Sequence, residues 1–284
     1  MILVTGATGN LGRSLIDLLS VAGVEIRAVT RKAQAAGLPD GVEVVEGDPS
    51  RPDTIVPALR GVTALFLHPR AVGIAAVELL ALARERGVKR VVALSAINVD
   101  DDLDEQPSRY RGDRNKEVED AAVGSGLAWV SLRASSFAIN TLQAWGAQIR
   151  AGDVIYGPYA TFAEAPIHER DLAEVGARAL LSDELVGRRL GLTGPQSLTH
   201  QEMVAIIGDV IGRPLRYQEI EPEAAKQGMV QHSFPEPFVE ALMARYARGV
   251  GQEAATTSEV EKILGRSART YAEWVADHAA AFRN

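Results

Sequence analysis

The chain contains no cysteine. A disulfide framework, a thiolate nucleophile and a cysteine-ligated metal are therefore excluded, and the composition suits a reducing compartment. Excess positive charge is also missing. The formal charge of −7 argues against nucleic acid as the main partner. No apolar run approaches the roughly 20 residues that span a bilayer. The opening MILVTGATGN lacks a basic leader segment and reads as a structural strand. Internal repeats, low-complexity tracts and long charged tails are absent as well. With 46% hydrophobic residues in 284, the chain can build a sizeable core. These features predict a soluble cytoplasmic protein without nucleic-acid or membrane partners. They leave its oligomeric state open.

Residues 1–132 alternate short apolar runs with helical patterns. The runs are MILVT (1–5), VEIRAVT (24–30), VEVVEG (42–47), TALFL (63–67), VKRVVAL (88–94) and LAWVSL (127–132). Helical stretches lie between them at Leu11–Ala22, Val72–Arg86 and Lys116–Val123, with a shorter helical stretch in PSRPDTIVPALRG (49–61). This alternation predicts an α/β fold with a doubly wound parallel sheet. After Leu132 the spacing predicts helices over Phe137–Ile149, Arg170–Leu181 and Thr199–Ile211. The last is capped by Thr199 with Glu202 three residues on. VGRRLGLTG (186–194) and PLRYQEIE (214–221) read as short strands, and residues 270–282 as helical. We therefore expect a dinucleotide-type domain over 1–150. A smaller C-terminal α/β substrate region over 151–284, interleaved with the first, is expected to pack over the carboxyl edge of the sheet. The cluster Arg84, Arg86, Lys89 and Arg90 reads as a solvated helix end, and Asp100–Glu105 as a solvated acidic loop.

The segment LVTGATGNLGRS (3–14) joins the first strand to the first helix. Gly6 permits a tight turn, Gly9 lets backbone approach a pyrophosphate, and Gly12 lets the helix lie close to the strand. The helix N-terminus offers amides and a positive dipole end to phosphate. Thr8, Asn10 and Leu11 complete this candidate cofactor loop. NAD selectivity would place an acid at the end of the second strand, but the nearby acid, Glu25, is at its start. The strand ends instead on Arg31 and Lys32, which suit a 2′-phosphate, and Arg31 can also stack on adenine. We therefore expect NADP(H) to be preferred, with NAD(H) possible. Asp48 either accepts from the adenine amino group or caps a helix. Leu67 and His68, at the end of the fourth run, either line the cofactor path or begin a turn at Pro69.

These residues resemble the NmrA-like, atypical branch of the short-chain dehydrogenase/reductase superfamily. The resemblance runs through TGATGNLG (5–12), VEVVEGDPSRPDTIVPALRGV (42–62), VVALSAINV (91–99) and KEVEDAAVGSGLAWVSLRASSFAIN (116–140). It continues in APIHERDLAEVGARAL (165–180), LTGPQSLTHQEM (192–203) and SEVEKILGRSARTYAEWVADHAAAF (258–282). It implies an NAD(P)-binding Rossmann domain with a small C-terminal substrate domain. Some members reduce quinones or other aromatic compounds, and others sense the dinucleotide without turning it over. The superfamily also uses a Tyr-x-x-x-Lys pair and an upstream serine for proton transfer. Ser95 matches the serine and Lys116 the lysine, which would put the tyrosine at position 112. That residue is Gly112. Tyr110 is nearby, but a spacing of six residues puts it on the opposite face of a helix. It serves only if 107–113 is loop.

Candidate pocket residues are Ser135, Ser136, Phe137 and Asn140, with Tyr156, Tyr159, Phe162 and His168. Ala134 stands where the family usually has proline, which weakens the expected backbone contact to the nicotinamide amide. No histidine–carboxylate spacing makes a metal site, and no G-x-S-x-G is present. The sequence therefore predicts an NADP(H)-dependent oxidoreductase passing hydride to a quinone or other aromatic carbonyl compound, a reading that includes an enzyme of a biosynthetic pathway. The alternative is a dinucleotide-binding redox sensor.

Overall fold

The computed structural model describes residues 1–283. Its strands, in chain order, are β1 (Ile2–Val4), β2 (Ile26–Thr30), β3 (Glu43–Glu46), β4 (Ala64–Leu67), β5 (Arg90–Ala96), β6 (Ala128–Ala134), β7 (Val154–Gly157), β8 (Ala163–Glu164), β9 (Arg188–Leu192), β10 (Leu198–Thr199) and β11 (Arg216–Glu219). Its helices are α1 (Asn10–Val21), α2 (Pro69–Val72), α3 (Ala76–Glu85), α4 (Asn115–Gly124), α5 (Asn140–Ala144), α6 (Gly146–Ala151), α7 (Glu169–Leu181), α8 (His200–Ile211), α9 (Pro222–Gln231), α10 (Glu236–Gly249), α11 (Glu259–Leu264) and α12 (Tyr271–Asp277). None of the helices among the described residues is long and apolar enough to cross a membrane.

The chain forms two compact units that interleave in sequence. The first comprises residues 1–100, 112–134 and 169–191, and the second comprises 101–111, 135–168 and 192–284. The division differs from one at residue 150. Residues 135–150 lie in the second unit, and 169–191 return to the first.

In the first unit, seven strands run in the order β3-β2-β1-β4-β5-β6-β9. The first six pair in parallel. The central strands β1 and β4 are continuous apolar runs, as strands covered on both faces require. All residues of β1 and β4 are buried. Chain order reverses between β1 and β4, the switch point at which ligands bind in open α/β sheets. One core joins Leu3, Val29, Ile55, Leu65, Leu79, Val91 and Val118. The predicted turns in 49–61 form a 3₁₀ helix at Pro52–Leu59.

Three expectations are corrected here. The 186–194 strand belongs to the large sheet, as edge strand β9. The helix before it, α7, lays Leu172, Ala173, Val175 and Gly176 inward in this unit, with Gly176 facing Leu15 of α1 and Leu132 of β6. Such a return of the chain is a long-range event without a local signal. Arg90 is no solvated helix end. It lies in β5, where its guanidinium donates to Leu180 O at 2.9 Å and pairs with Asp183.

In the second unit, β10 pairs antiparallel with β8, and β11 pairs parallel with β7. A core of Ile149, Ile155, Met203, Ile207, Tyr271, Trp274 and Phe282 holds the helices. Thr199 caps α8 in a capping box with Glu202, as the spacing predicts. The predicted helix over 137–149 is instead two short ones. Trp145 leaves helical geometry at φ −128° between them. Its buried ring sits edge-on to His200 at 5.5 Å and to Tyr217 at 6.0 Å. Burying that indole outweighs one or two helical hydrogen bonds, each worth about 1 kcal/mol net.

Candidate cofactor and active site

The glycine loop occupies the β1–α1 turn. Gly6 has φ +65°, and a Cβ on it would lie 2.7 Å from the Cβ of His68. Glycine is required there on both counts. A Cβ on Gly12 would collide with Gly6 O and lie 2.8 Å from Ala7 Cα, so the first turn of α1 rests directly on the loop. Gly9 is exposed, and a Cβ there would meet only Gly6 O, at 3.4 Å. Gly9 caps α1 without a side chain, and the first turn carries no acid. The amides and dipole of a twelve-residue helix thus point at open space framed by Thr8, Gly9 and Asn10, all exposed. That is the geometry of an anion cradle. Leu11 is buried and anchors the helix instead.

His68 is fixed above this loop. Thr5 Oγ1 donates to Phe66 O at 2.9 Å and accepts from His68 N at 2.8 Å. His68 Nδ1 accepts from Arg70 N at 3.3 Å, which leaves the ring proton on Nε2 in the neutral form. Burial pushes the imidazole pKa down, Asp113 pulls it back up and Arg70 lowers it. Arg70 and Asp113 are themselves an ion pair at 2.6 Å. Leu67, fully buried, belongs to the sheet core.

Arg31 and Lys32 follow β2 and are both exposed. Asp48 does not cap the 3₁₀ helix at Pro52–Leu59, which has Arg51 at its N-cap. Its carboxylate accepts from Ser50 N at 3.0 Å and Ser50 Oγ at 2.7 Å and faces Arg51. The Ser50 hydroxyl chiefly holds it below the usual carboxylate range, against a burial penalty, with help from Arg51 and Arg31.

Ser95 and Lys116 sit in a network of ion pairs. Glu119, completely buried on α4, accepts from Arg133 Nε at 3.0 Å and Nη2 at 2.6 Å, from Ser131 Oγ at 2.5 Å and from Arg189 Nε at 2.9 Å. Burial alone would raise its pKa, but Arg133, Ser131, Ser95 and Arg189 together lower it to about 2. The buried Ser95 hydroxyl faces this carboxylate short of a well-aligned hydrogen bond, and its dipole still favours the ion. Asp100 joins Arg133 at 2.7 Å to Lys116 at 3.5 Å, and Lys116 also meets Asp120 at 3.2 Å. Hydrogen bonding to Asp120 is the main cause that raises the Lys116 pKa.

Gly112 lies outside the helix that carries Lys116, since α4 begins at Asn115. Its φ is +95°, a region a tyrosine adopts only under strain. The four-residue helical spacing of a Tyr-x-x-x-Lys pair is therefore not formed. Tyr110, in the second unit, lies on a short 3₁₀ turn and donates its hydroxyl to Asp104 O at 3.2 Å.

Within the second unit, Ser135 Oγ donates to Ala165 O at 2.6 Å. Phe137 bridges to Ile167, and the buried Ser136 Oγ has no hydrogen-bond partner among the described residues. Asn140 and Tyr156 are exposed. Tyr159 and Phe162 face Tyr246 at 6.3 and 4.5 Å, and Phe162 also meets His200 at 5.3 Å. They belong to an aromatic cluster whose histidine is held neutral by burial. His168 is 1% exposed, with Nε2 3.4 Å from Asp277 and its ring 6.0 Å from His278. It is a core histidine and presents no surface to a ligand.

Sequence reading missed Glu119, Arg133, Arg189 and Asp100, whose partners lie far away in the chain. It also missed Arg13, which donates to Thr8 O, Ala36 O and Gly37 O at 3.1, 2.7 and 2.6 Å. A local signal existed for Arg13, because a cation in the first turn of a helix opposes the dipole.

Known proteins share this sequence and fold. The chain is 34% identical over 291 residues to a (4-alkanoyl-5-oxo-2,5-dihydrofuran-3-yl)methyl phosphate reductase of Streptomyces griseus, covering 99% of both chains. It is 34% identical over 289 residues to an NAD(P)H azoreductase of Xenophilus azovorans, again covering 99% of each. A crystal structure of an NADPH-dependent quinone oxidoreductase from Escherichia coli superposes with a TM-score of 0.80 at 23% identity. That match covers 98% of this chain and 100% of the other, and it shows a shared fold. With residues 6–183 matching the model of the NAD(P)H-binding family, this chain belongs to that family.

Proposed function

We propose that the protein is an NADP(H)-dependent oxidoreductase that reduces a quinone or another small aromatic acceptor in the cytoplasm. The observation that carries this is the glycine cradle of Gly6, Gly9 and Gly12, set beside the two cations Arg31 and Lys32. The amides of Asn10 and Leu11 would hold the pyrophosphate, with Thr8 at the rim, while the Gly9 amide closes the turn by donating to Gly6 O at 3.0 Å. Arg31 and Lys32 would hold the 2′-phosphate. Asp48, drawn toward Arg31, would border the adenine, and His68 would offer Nε2–H on the far side of the loop. When bound, NADPH supplies the hydride.

Ser136, Phe137, Asn140 and Tyr156 are the candidates for binding the acceptor. Ser136 has the strongest claim because its buried hydroxyl is not consumed by the protein. With Lys116 committed to Asp100 and Asp120, water is the simplest proton source. This suits an acceptor whose reduction yields an aromatic, stabilised oxyanion. The two relatives at 34% identity, named for reducing an azo compound and a furanone phosphate, support the reductase reading.

The test is loss of NADPH absorbance on mixing purified protein with a panel of quinones and azo compounds. Oxidation with any of them supports the assignment, and silence with all of them counts against it. One observation favours a second reading, a redox sensor without turnover: Gly112 at φ +95° removes the usual acid. Tight cofactor binding by calorimetry with no turnover on the same panel would select it.

A further inference from the structure

Arg13 is the fourth residue of α1. The helix dipole disfavours a cation there. Three carbonyls offset this, since hydrogen bonds from a charged donor are stronger than neutral ones. Those carbonyls come from two segments. Thr8 belongs to the glycine loop, while Ala36 and Gly37 end the segment that follows β2.

That segment is a single 3₁₀ turn, Ala33–Ala35, with Lys32 as its cap and Arg31 just before it. Only Ala36 of residues 31–38 is buried. The hydrophobic effect therefore does little to fix it, and hydrogen bonds must. Its near end is tied by Lys32 N to Thr30 Oγ1 at 3.4 Å and by Ala33 N to Glu46 Oε2 at 3.3 Å. Arg13 ties its far end. Without that tie, the segment would be held at its near end alone, and more of its backbone would have to be ordered on binding.

We propose that Arg13 is a positioning residue for cofactor selectivity, latching the Arg31–Lys32 segment to the glycine loop so that both cations are preset for a 2′-phosphate. The inference rests on the NADP(H) reading above. Arg13 acts through Arg31 and Lys32, so its effect is confined to ligands that carry the 2′-phosphate.

Calorimetry on the full chain with NADP⁺, NAD⁺ and 2′,5′-ADP tests this. In the wild type, NADP⁺ binds more tightly than NAD⁺. Arg13→Gln weakens NADP⁺ and 2′,5′-ADP by about ten-fold and NAD⁺ by less than about two-fold, about 1.4 kcal/mol of selectivity. Arg13→Lys, which keeps the charge and a single donor head, recovers part of the loss. In an Arg31→Ala background, the cost of Arg13→Gln falls well below about ten-fold, because only Lys32 is left for it to preset. Equal losses for NADP⁺ and NAD⁺, losses that add fully to those of Arg31→Ala, or no loss at all would each overturn the proposal while leaving the cofactor assignment intact. A wild type that does not prefer NADP⁺ would overturn the cofactor assignment, and this inference with it. If Arg13→Gln does not fold, Arg13→Lys and its Arg31→Ala double variant carry the same comparison.

Discussion

Arg133 grips Glu119 through two hydrogen bonds, at 2.6 and 3.0 Å, inside a core where the carboxylate is wholly shielded from water. The fork geometry of the guanidinium matches the two carboxylate oxygens, and Ser131 and Arg189 take up the remaining acceptor capacity. The network joins α4, β5, β6 and β9 where a reader of the sequence expects a catalytic serine and lysine.

The network makes stability depend on acid. The Glu119 pKa falls from 4.5 to about 2 in the folded state. A depressed carboxylate contributes stability that is complete above its unfolded pKa and is lost as pH falls through the folded one. The shift corresponds to about 3 kcal/mol, lost between about pH 5 and pH 2. Glu119→Gln should lower stability at neutral pH by about 3–5 kcal/mol, because two arginines lose a buried counter-charge. It should also flatten the acid limb. Urea unfolding at a series of pH values measures both. An unchanged acid limb would mean that Glu119 is not the group responsible.

Gly12→Ala should damage cofactor binding. Its methyl group cannot be placed without moving Gly6 O or Ala7, and both belong to the loop that cradles the phosphates. A loss of at least about ten-fold in affinity for NADP⁺ is expected, with a drop in stability of about 1–3 kcal/mol from overpacking. Calorimetry and thermal melting read the two effects separately.

Arg31→Ser should raise KM for NADPH by about ten-fold or more, the worth of one charge-assisted contact. It should leave KM for NADH nearly unchanged, and kcat at saturating cofactor should hold. Equal rises for the two cofactors would remove Arg31 from the 2′-phosphate site.

Restoring the missing tyrosine should fail. In Gly112→Tyr the new side chain must sit at φ +95°, a strain of about 1–3 kcal/mol. A lower melting temperature with no gain in turnover is expected. Tyr110→Phe removes a hydroxyl whose contact is Asp104 O on the surface, and turnover should stay within about two-fold. A large fall in kcat with Tyr110→Phe would instead mark Tyr110 as the proton donor.

Most of the first unit could be read from the chain directly. Its central strands β1 and β4 are unbroken apolar runs, α1 is amphipathic, and the Gly6–Gly12 spacing sits between β1 and α1. These are local properties, set by backbone sterics and by periodicity over a dozen residues. The missing acid at the end of β2 and the glycine at 112 are local too, and both could be read without the fold. What needed the tertiary structure was every relationship between distant segments. The return of α7 and β9 to the sheet, the break at Trp145 and the burial of His168 against Asp277 all follow from which surfaces meet. The same is true of the setting of Ser95, whose buried hydroxyl helps to lower the Glu119 pKa. A buried carboxylate must collect its counter-charges from wherever the fold brings them, here from Arg133 and from Arg189, 70 residues away in sequence. No periodicity encodes that pairing, because the cost of an unpaired buried charge exists only once the chain has folded.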